Sequence, residues 1–321
     1  MNLAGLSIFR AGSDQLASGD PDLLWRHHHA AGLSAEAEAA GLFTRVSAVD
    51  APDGILTHFE FGYGERVRCR FTVSAAGDQV DSWAAPEVSE RDLDGLFSEH
   101  ILRSVLIRRG LLSFHAAALS DGDGAILIMG DKGMGKSTLS AALQQRGWSA
   151  AADDLSRVAE AGGGWRTFEG LRATKLLAGS LAGLGLAQQA LPTRWDDASE
   201  DLKGAVEEKR LLSPAGDLPS DPRAFRLRAL LVLQPRIAGS DEVVARTAAP
   251  LGAVRALLDH ITEDALHPGA APAPALQQAI GRLVGQVPIT EITLPDRIDA
   301  LASSAEAVER IVRNAQARRA A

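Results

Sequence analysis

The sequence contains a single cysteine, Cys69, among 321 residues. One cysteine allows no internal disulfide and no cysteine-based metal cluster, which is the usage expected in a reducing compartment. We therefore predict a cytoplasmic protein. We also expect Cys69 to be a small core residue and not a nucleophile, because a lone thiol without a catalytic motif usually packs in a core.

Long apolar runs and basic runs are also missing. No stretch approaches the roughly 18 apolar residues of a membrane helix, and residues 1–10 lack the basic and apolar segments of a signal peptide. The formal net charge is −8, and no run of basic residues is longer than two. Because phosphate contacts need a basic surface, the composition predicts neither a nucleic-acid partner nor a membrane partner.

The length and the 46% hydrophobic content favour two globular domains, at roughly 150 residues for each. We predict a small β-rich domain over residues 1–86, a connecting helix over 87–110 and an α/β domain over 111–321. Alternating apolar and polar residues in 58–61 and 67–71 are typical of half-buried strands, so an antiparallel first domain is expected.

Two features of this first part carry further expectations. Ser89 and Asp92 have the spacing of a capping box, so a helix should begin there, with an apolar stripe that we expect to pack on the second domain. Three consecutive histidines, His27-His28-His29, cannot share one face of a helix or strand. A solvated loop is therefore favoured over a metal site for them.

The second part contains a stretch that fits the P-loop pattern G-x-x-x-x-G-K-[ST] without a mismatch. An apolar run, 125–129, precedes it as a predicted strand, and residues 137–145 lack glycine and proline and follow it as a predicted helix. This order lets backbone N–H groups and the helix N-terminus surround phosphates. The predicted nucleotide-binding residues are Gly130, Asp131, Lys132, Gly133, Met134, Gly135, Lys136, Ser137 and Thr138.

Two side chains of this motif have specific expected roles. Lys136 would reach the β- and γ-phosphates, and the Ser137 hydroxyl would ligate Mg²⁺. The motif by itself does not distinguish a kinase, an ATPase, a GTPase or a switch.

An acidic pair, Asp153-Asp154, follows a short predicted strand over 148–152. Carboxylates at the carboxyl end of a strand beside a P-loop are where a Mg²⁺ ligand and a catalytic base are expected. Two aspartates that only solvate a turn are the alternative. We favour function, because a single helix and strand return the chain from Lys136 to a position beside the loop.

The remaining elements are predicted from local patterns. They are a strand over 111–119 that forms a hairpin with 125–129, a hairpin over 155–168, a loose helix over 178–191, a polar flap over 195–208, strands over 225–233 and 289–294, and helices over 251–261, 276–284 and 304–318.

Several of these motifs together resemble a known family. They are Phe114-His115 before the loop, the loop itself, and Arg146-Gly147 leading into Asp153-Asp154. The combination resembles the catalytic domain of HPr kinase/phosphorylase. It is more similar still to the HPr-kinase-like proteins of peptide natural-product pathways, including kinases of lasso peptides. The similar stretch covers about residues 111–158, and a vaguer likeness continues to the terminal helix.

The resemblance implies an HPr-kinase-like α/β fold and an ATP- and Mg²⁺-dependent kinase. Its acceptor would be a serine hydroxyl of a peptide or small protein, including a ribosomally made peptide. Asp153 would be the base and Lys136 would contact phosphates, while His115 would orient or tune the aspartates. A buried core histidine remains the alternative for His115. The implied metal ligands are Ser137, Asp154 and, through an imperfect match, Glu169.

Other functions stay open at this point. One alternative is a nucleotide-binding regulatory or scaffold protein that transfers no phosphate, and another is a kinase of a small-molecule hydroxyl. The acidic pair favours a kinase over a protein that transfers no phosphate, and nothing in the sequence excludes a small-molecule acceptor. The HPr-docking and phosphorolysis features of the bifunctional enzyme have no match in the sequence. The sequence leaves open the choice between ATP and GTP and whether the chain forms a homo-oligomer.

Overall fold

The computed structural model describes residues 2–4, 6–12, 22–29, 42–63, 66–86, 88–172, 174–187, 209–211, 223–237 and 240–320. Within these ranges the chain forms one large sheet, a helical segment, and a second large sheet with helices on both faces. No helix in this described part is both long enough and apolar enough to cross a membrane.

The first sheet has seven strands in the order β1-β2-β3-β7-β6-β5-β4. The strands are β1 (Asn2–Leu3), β2 (Leu6–Gly12), β3 (Leu23–His29), β4 (Leu42–Ala51), β5 (Gly54–Tyr63), β6 (Arg66–Val73) and β7 (Gln79–Ala84). The expectation of antiparallel pairing is confirmed for β4 to β7. It was wrong for β3, which pairs in parallel with both β2 and β7. Alternation along a strand reports which face is buried and carries no information on the direction of its neighbours.

The three histidines lie in β3, so the expected loop was wrong. His28 stacks on Trp83 with ring centroids 5.2 Å apart, and His27 Nδ1 lies 3.0 Å from Ser82 Oγ. Cys69 is buried in β6 at 1% exposure, and this burial raises the pKa of its thiol to about 12. The interpretation of Cys69 as a core residue is therefore confirmed.

A helical segment follows the first sheet. It runs through α1 (Glu90–Leu96), a π-helical turn (Phe97–Ile101) and α2 (Leu102–Arg108). The predicted capping box is present, with the Asp92 N–H donating to Ser89 Oγ at 3.2 Å. The expectation that the apolar stripe packs on the second domain was wrong. The stripe packs mainly on the first sheet, where Phe97 stacks on Trp25 at 4.3 Å. Helical spacing marks a buried face but does not specify what covers it.

The second large sheet has the strand order β11-β9-β10-β16-β13-β12-β8, with β18 beside β16 and β17 beside β18. The strands after the first sheet are β8 (Ser113–Phe114), β9 (Ala116–Ser120), β10 (Ala125–Met129), β11 (Ser149–Ala152), β12 (Ser156–Ala161), β13 (Gly164–Phe168), β14 (Lys175–Leu177), β15 (Lys209–Leu211), β16 (Ala224–Ile237), β17 (Val244–Thr247) and β18 (Ile289–Pro295). The pair β14 and β15 forms a small separate sheet.

Helices cover both faces of this sheet. They are α3 (Lys136–Gln144), α4 (Ala178–Gly183), α5 (Pro250–Asp259), α6 (Pro274–Gln286) and α7 (Leu301–Ala320), with a 3₁₀ turn at Ile298–Ala300. Along β10, Ile126 and Ile128 join the core under α3 and α7, while Leu127 and Met129 join the core under α5 and α6. A strand that is buried on both faces consists of consecutive apolar residues, and this pattern allowed the strand over 125–129 to be predicted from the sequence.

Most predicted elements of the second part are confirmed, including the hairpins β9–β10 and β12–β13. The predicted single strand over 111–119 was wrong, because the chain changes partners at His115: β8 pairs with β12, whereas β9 pairs with β10. Strands β14, β15 and β17 were not predicted. The flap expected over 195–208 lies outside the described residues, and the domain boundaries at 86 and 110 stay predictions.

The stack of Phe97 on Trp25 gives a stability prediction. Phe97 is fully buried, so Phe97→Ala should lower the free energy of unfolding by about 3–5 kcal/mol through lost burial and an unfilled cavity. Leu251→Ala is the control, since Leu251 is 82% exposed and its truncation should change stability by less than about 0.5 kcal/mol. Urea unfolding measures both variants. Equal, small losses would contradict the packing of the helical segment on the first sheet.

Candidate active site

One edge of the second sheet collects the residues that the motifs single out. β10 runs parallel to β16, and β16 runs parallel to β18. β9 is antiparallel to both β10 and β11, so β11 points the same way as β10. Their carboxyl ends therefore meet at one edge, with Gly130 after β10, Asp153 after β11, Arg236 near the end of β16 and Asp296 after β18. Crevices at such edges are the usual ligand sites of open α/β sheets.

The predicted order of strand, glycine-rich loop and helix is confirmed at this edge. Gly130, Gly133 and Gly135 have φ of 150°, 87° and 98°, values that a residue with a Cβ rarely adopts. A Cβ on Gly130 would also lie 2.9 Å from Leu233 Cβ of β16. Glycine at this position therefore allows both the turn and the close approach of β16.

Lys136 is the first residue of α3, and its side chain folds back over the loop. Its Nζ donates to the carbonyl oxygen of Gly130 and lies 3.5 Å from that of Asp131. The ammonium group thus lies in the concave side of the loop, where the motif expects phosphates. Phosphate oxygens, which accept hydrogen bonds, could take over these contacts.

The other residues of the motif surround this concavity. Asp131, Lys132 and Gly133 are exposed, whereas Met134 and Ser137 are half-buried. The Met134 N–H donates to the Asp131 carbonyl at 3.2 Å and closes the loop. Thr138 Oγ1 lies 3.0 Å from Ser180 Oγ of α4, which connects the start of α3 to the neighbouring helix.

Asp153 is buried, at 8% exposure, directly after β11. Burial, followed by the charge of Asp154, raises the pKa of Asp153 to about 7, while the charge of Lys175 acts in the opposite direction. Asp154 is half-buried and has φ of 59°, a left-handed conformation that turns the chain sharply. The two neighbours have different partners: the Lys175 N–H donates to the Asp153 carboxylate, and the Asp154 carbonyl contacts His115.

His115 lies at the break between β8 and β9, where its N–H donates to the carbonyl of His260 at 2.8 Å. Its Nδ1 is 3.1 Å from the carbonyl oxygen of Asp154. Burial and then the charge of Lys136 lower the pKa of His115, so the ring is neutral near pH 7. Because a carbonyl only accepts, Nδ1 carries the proton and Nε2 presents a lone pair. The structure thus brings His115, Lys136 and Asp154 together.

Glu169 lies beside the acidic pair, because the backbone of residues 170–171 bonds to that of residues 151–153. The Gly170 N–H donates to the Ala151 carbonyl at 2.8 Å, and the Asp153 N–H donates to the Leu171 carbonyl at 2.8 Å. The Glu169 side chain is 3% exposed, with Oε1 3.3 Å from Arg172 Nη1, and its buried Oε2 has no hydrogen-bond partner among the described residues. A buried acceptor without a donor suits a cation ligand.

The acidic residues do not form a complete metal cage by themselves. Within the described ranges, no group of three or more His, Cys, Asp or Glu side chains is arranged to hold a metal ion. Mg²⁺ in phosphate-transfer sites is usually held by one or two protein oxygens together with the phosphates of the substrate. Such an ion binds hydroxyl and carboxylate oxygens. The site offers the Ser137 hydroxyl, the Asp154 carboxylate and Oε2 of Glu169, which has no hydrogen-bond partner among the described residues.

Three other ionisable side chains at this edge were not predicted from the sequence. His260 is 8% exposed at the end of α5. Burial lowers its pKa; the charge of Asp131 acts against this shift and the charge of Lys136 adds to it. Lys175 Nζ pairs with Glu99 Oε1 of the π-helical turn at 2.6 Å. Arg236 lies against the loop at Gly135. Each is separated from the motif along the chain. The local pattern that could have indicated one of them is the largely apolar predicted strand over 225–233, which Arg236 follows after Gln234 and Pro235.

Comparison with known proteins leaves the family open. No protein-family profile matches the chain, and no curated protein matches it. Among solved structures, the chain is similar to the Hpr(Ser) kinase/phosphatase from Coxiella burnetii, at 15% sequence identity, over 65% of this chain and 99% of that chain, with a TM-score of 0.29. A TM-score this low does not establish a shared fold, so the chemistry of the site rests on its own geometry.

The geometry of Gly130 gives a prediction for the loop. Gly130→Ala combines a φ of 150° with a 2.9 Å contact to Leu233, so it should lower the free energy of unfolding by about 1–3 kcal/mol. The matched control is Gly281→Ala in α6, where nothing lies within 4 Å of the added methyl group. That change should raise stability by about 0.5–1 kcal/mol through helix propensity. Thermal unfolding of the two variants distinguishes them, and a neutral Gly130→Ala would contradict the close approach of β16.

Proposed function

We propose that the protein is an ATP- and Mg²⁺-dependent kinase that transfers the γ-phosphate to a serine hydroxyl of a peptide or small protein. One observation carries the proposal: the glycine loop after β10 and the acidic pair after β11 share one sheet edge. Only β9 separates the two strands, so the groups lie about two strand spacings, or ~10 Å, apart. This distance leaves room for a terminal phosphate and an attacking hydroxyl between them.

On this proposal, the loop and α3 hold the donor nucleotide. Backbone N–H groups of the loop bind its phosphates, and Lys136 leaves the carbonyls of Gly130 and Asp131 to contact the β- and γ-phosphates. Mg²⁺ bound with the nucleotide would be held by Ser137 and Asp154, with Glu169 as a further candidate, and would neutralise charge on the transferring group. Phosphoryl transfer needs this positioning and neutralisation more than covalent chemistry.

Asp153 is the proposed base on the acceptor. As the serine oxygen bonds to the γ-phosphorus, the bond from that phosphorus to the bridging oxygen breaks, ADP leaves with the electron pair, and Asp153 takes the hydroxyl proton. A carboxylate at this position can accept the hydroxyl proton late in the transfer. His115, through Nδ1 on the Asp154 carbonyl, supports the turn at Asp154.

The choice of a serine in a peptide or small protein as the acceptor is supported by the resemblance of the motifs to HPr-kinase-like proteins of peptide pathways. A ribosomally made peptide, including a lasso peptide, is therefore the proposed acceptor, and the cytoplasm the proposed compartment. Serine fits a mechanism in which a carboxylate accepts a hydroxyl proton late in the transfer.

Replacement of Lys136 tests the nucleotide site. Lys136→Ala should abolish transfer of labelled γ-phosphate from ATP, because the ammonium group neutralises charge that develops on the transferring group. Calorimetry with Mg-ATP should show weaker binding, and thermal unfolding should show an intact fold. Unchanged Mg-ATP affinity together with unchanged turnover would refute the nucleotide site.

Separate Asn variants distinguish the proposed roles of Asp153 and Asp154. With a synthetic serine-containing peptide as the acceptor, Asp153→Asn should lower kcat by roughly 10²- to 10⁴-fold, the usual effect of losing a general base. Asp154→Asn should instead raise the Mg²⁺ concentration needed for half-maximal rate. Asp123→Asn, an exposed carboxylate in the turn between β9 and β10, is the matched control and should have no effect.

An exchange of the two effects between Asp153 and Asp154 would reassign the roles and leave the kinase proposal in place. A double Asn variant that still phosphorylates the peptide at nearly the parent rate would overturn it. Release of γ-phosphate to water alone, with none on the peptide, would favour an ATP-hydrolysing switch.

A further inference from the structure

Arg236 reaches the glycine loop from a neighbouring strand. It is the second-last residue of β16, beside the P-loop strand β10. A Cβ added to Gly135 would lie 2.8 Å from Arg236 Nη2 and 3.8 Å from its Cζ. Gly135 is also the N-cap of α3. The guanidinium therefore lies against the helix end that the motif assigns to phosphates.

The guanidinium has one nitrogen paired with a carboxylate and, on another edge, a donor without a partner among the described residues. Nη1 donates to Asp296 Oδ1 at 2.8 Å, and this carboxylate is 60% exposed. Nε is buried and has no hydrogen-bond partner within the described ranges. Nε and Nη2 form one edge of the planar group, the edge that binds an oxyanion through two parallel hydrogen bonds. Nη2 of that edge is the atom beside Gly135.

The charges around this helix end are unfavourable without an anion. The N-terminus of a helix already carries partial positive charge, and cations there are destabilising. The first turn of α3 contains no acidic residue, yet Lys136 and Arg236 both lie at it. The exposed carboxylate of Asp296 offsets part of this surplus. Two cations and a helix N-terminus around one loop are complementary to a polyphosphate.

We propose that Arg236 binds the α- or β-phosphate of the nucleotide in the loop through Nε and Nη2, while Asp296 holds Nη1 in place. This inference rests on the proposed nucleotide site and adds to it a residue outside the motif. Arginine suits the task better than lysine, because its planar fork can make two parallel bonds to a phosphate. The phosphates are assigned from the position of Gly135, since the N–H groups at this end of the loop face the α- and β-phosphates.

The test is a binding series without any acceptor. Isothermal calorimetry would measure Mg-ATP and Mg-ADP with the parent protein and with Arg236→Gln and Arg236→Lys. Arg236→Gln should weaken both nucleotides by roughly 10- to 100-fold, the usual effect of losing charge-assisted hydrogen bonds. The loss should be equal for ATP and ADP, because both carry the α- and β-phosphates. Arg236→Lys keeps the charge without the fork and should recover only part of the affinity.

Two controls accompany the series. Arg310→Gln removes an exposed arginine of α7 that pairs with Glu306 at 2.8 Å, and it should bind both nucleotides as the parent does. Thermal unfolding of each variant reports the fold. Arg236 is 30% exposed, so its replacement should leave the fold intact, and Arg236→Lys preserves the ion pair with Asp296 if Arg236→Gln is less stable.

The outcomes separate this inference from the proposed function. If the parent protein binds neither nucleotide, the proposed function itself fails. If Lys136→Ala loses affinity while Arg236→Gln binds both nucleotides as the parent does, the proposed function stands and the role of Arg236 is refuted. A loss confined to ATP would also overturn the assignment, because it would place Arg236 on the γ-phosphate.

Discussion

The parallel pairing of β10 with β16 is the constraint on which the rest of the site depends. It sets Met129 opposite Val232, so that both strands end at the same edge. Gly130 then leaves β10 against Leu233, at a distance that admits no side chain. The same pairing carries Arg236 beyond the end of β10 and alongside Gly135. A different register of β16 would move its charged end away from the loop and direct its apolar residues to the wrong faces.

The residues proposed to hold the donor and those proposed to serve the acceptor lie on opposite sides of β9 at this edge. Positive groups, Lys136 and Arg236, lie on the side of the loop, and the carboxylates of Asp153 and Asp154 lie beyond β9. His115 lies between the two groups, and burial keeps it neutral, so it adds no charge to either side. Such a division suits a reaction in which a highly charged donor is held on one side and a proton is taken on the other.

The first sheet is connected to this edge by specific contacts. Glu99, in the π-helical turn that packs on the first sheet, pairs with Lys175, whose charge acts on Asp153. The Ala4 N–H donates to the Glu169 carbonyl at 2.7 Å, and Arg157 Nη1 donates to the Ala4 carbonyl at 2.8 Å. Because the helical segment belongs to the core of the first sheet, removing residues 1–86 would also uncover its apolar stripe.

The sequence alone determined the features that are local. The glycines, Lys136 and Ser137 lie within the single stretch 130–137, so one motif predicted the order of strand, loop and helix. The buried apolar run of β10 and the capping box of α1 were recognised for the same reason, since each depends on neighbours within a few residues. The acidic pair was found because one helix and one strand return the chain to the loop.

Only the tertiary structure decided the features that join distant segments. The parallel pairs in the first sheet, the change of partners at His115 and the packing of Phe97 on Trp25 depend on which surfaces meet, and local periodicity does not encode that choice. The pairing of β16 with β10 brings Arg236 to Gly135 across about a hundred residues of chain. The sequence thus determined the chemistry of the loop, and the sheet determined which charges surround it, because strand order and register are properties of the packed core.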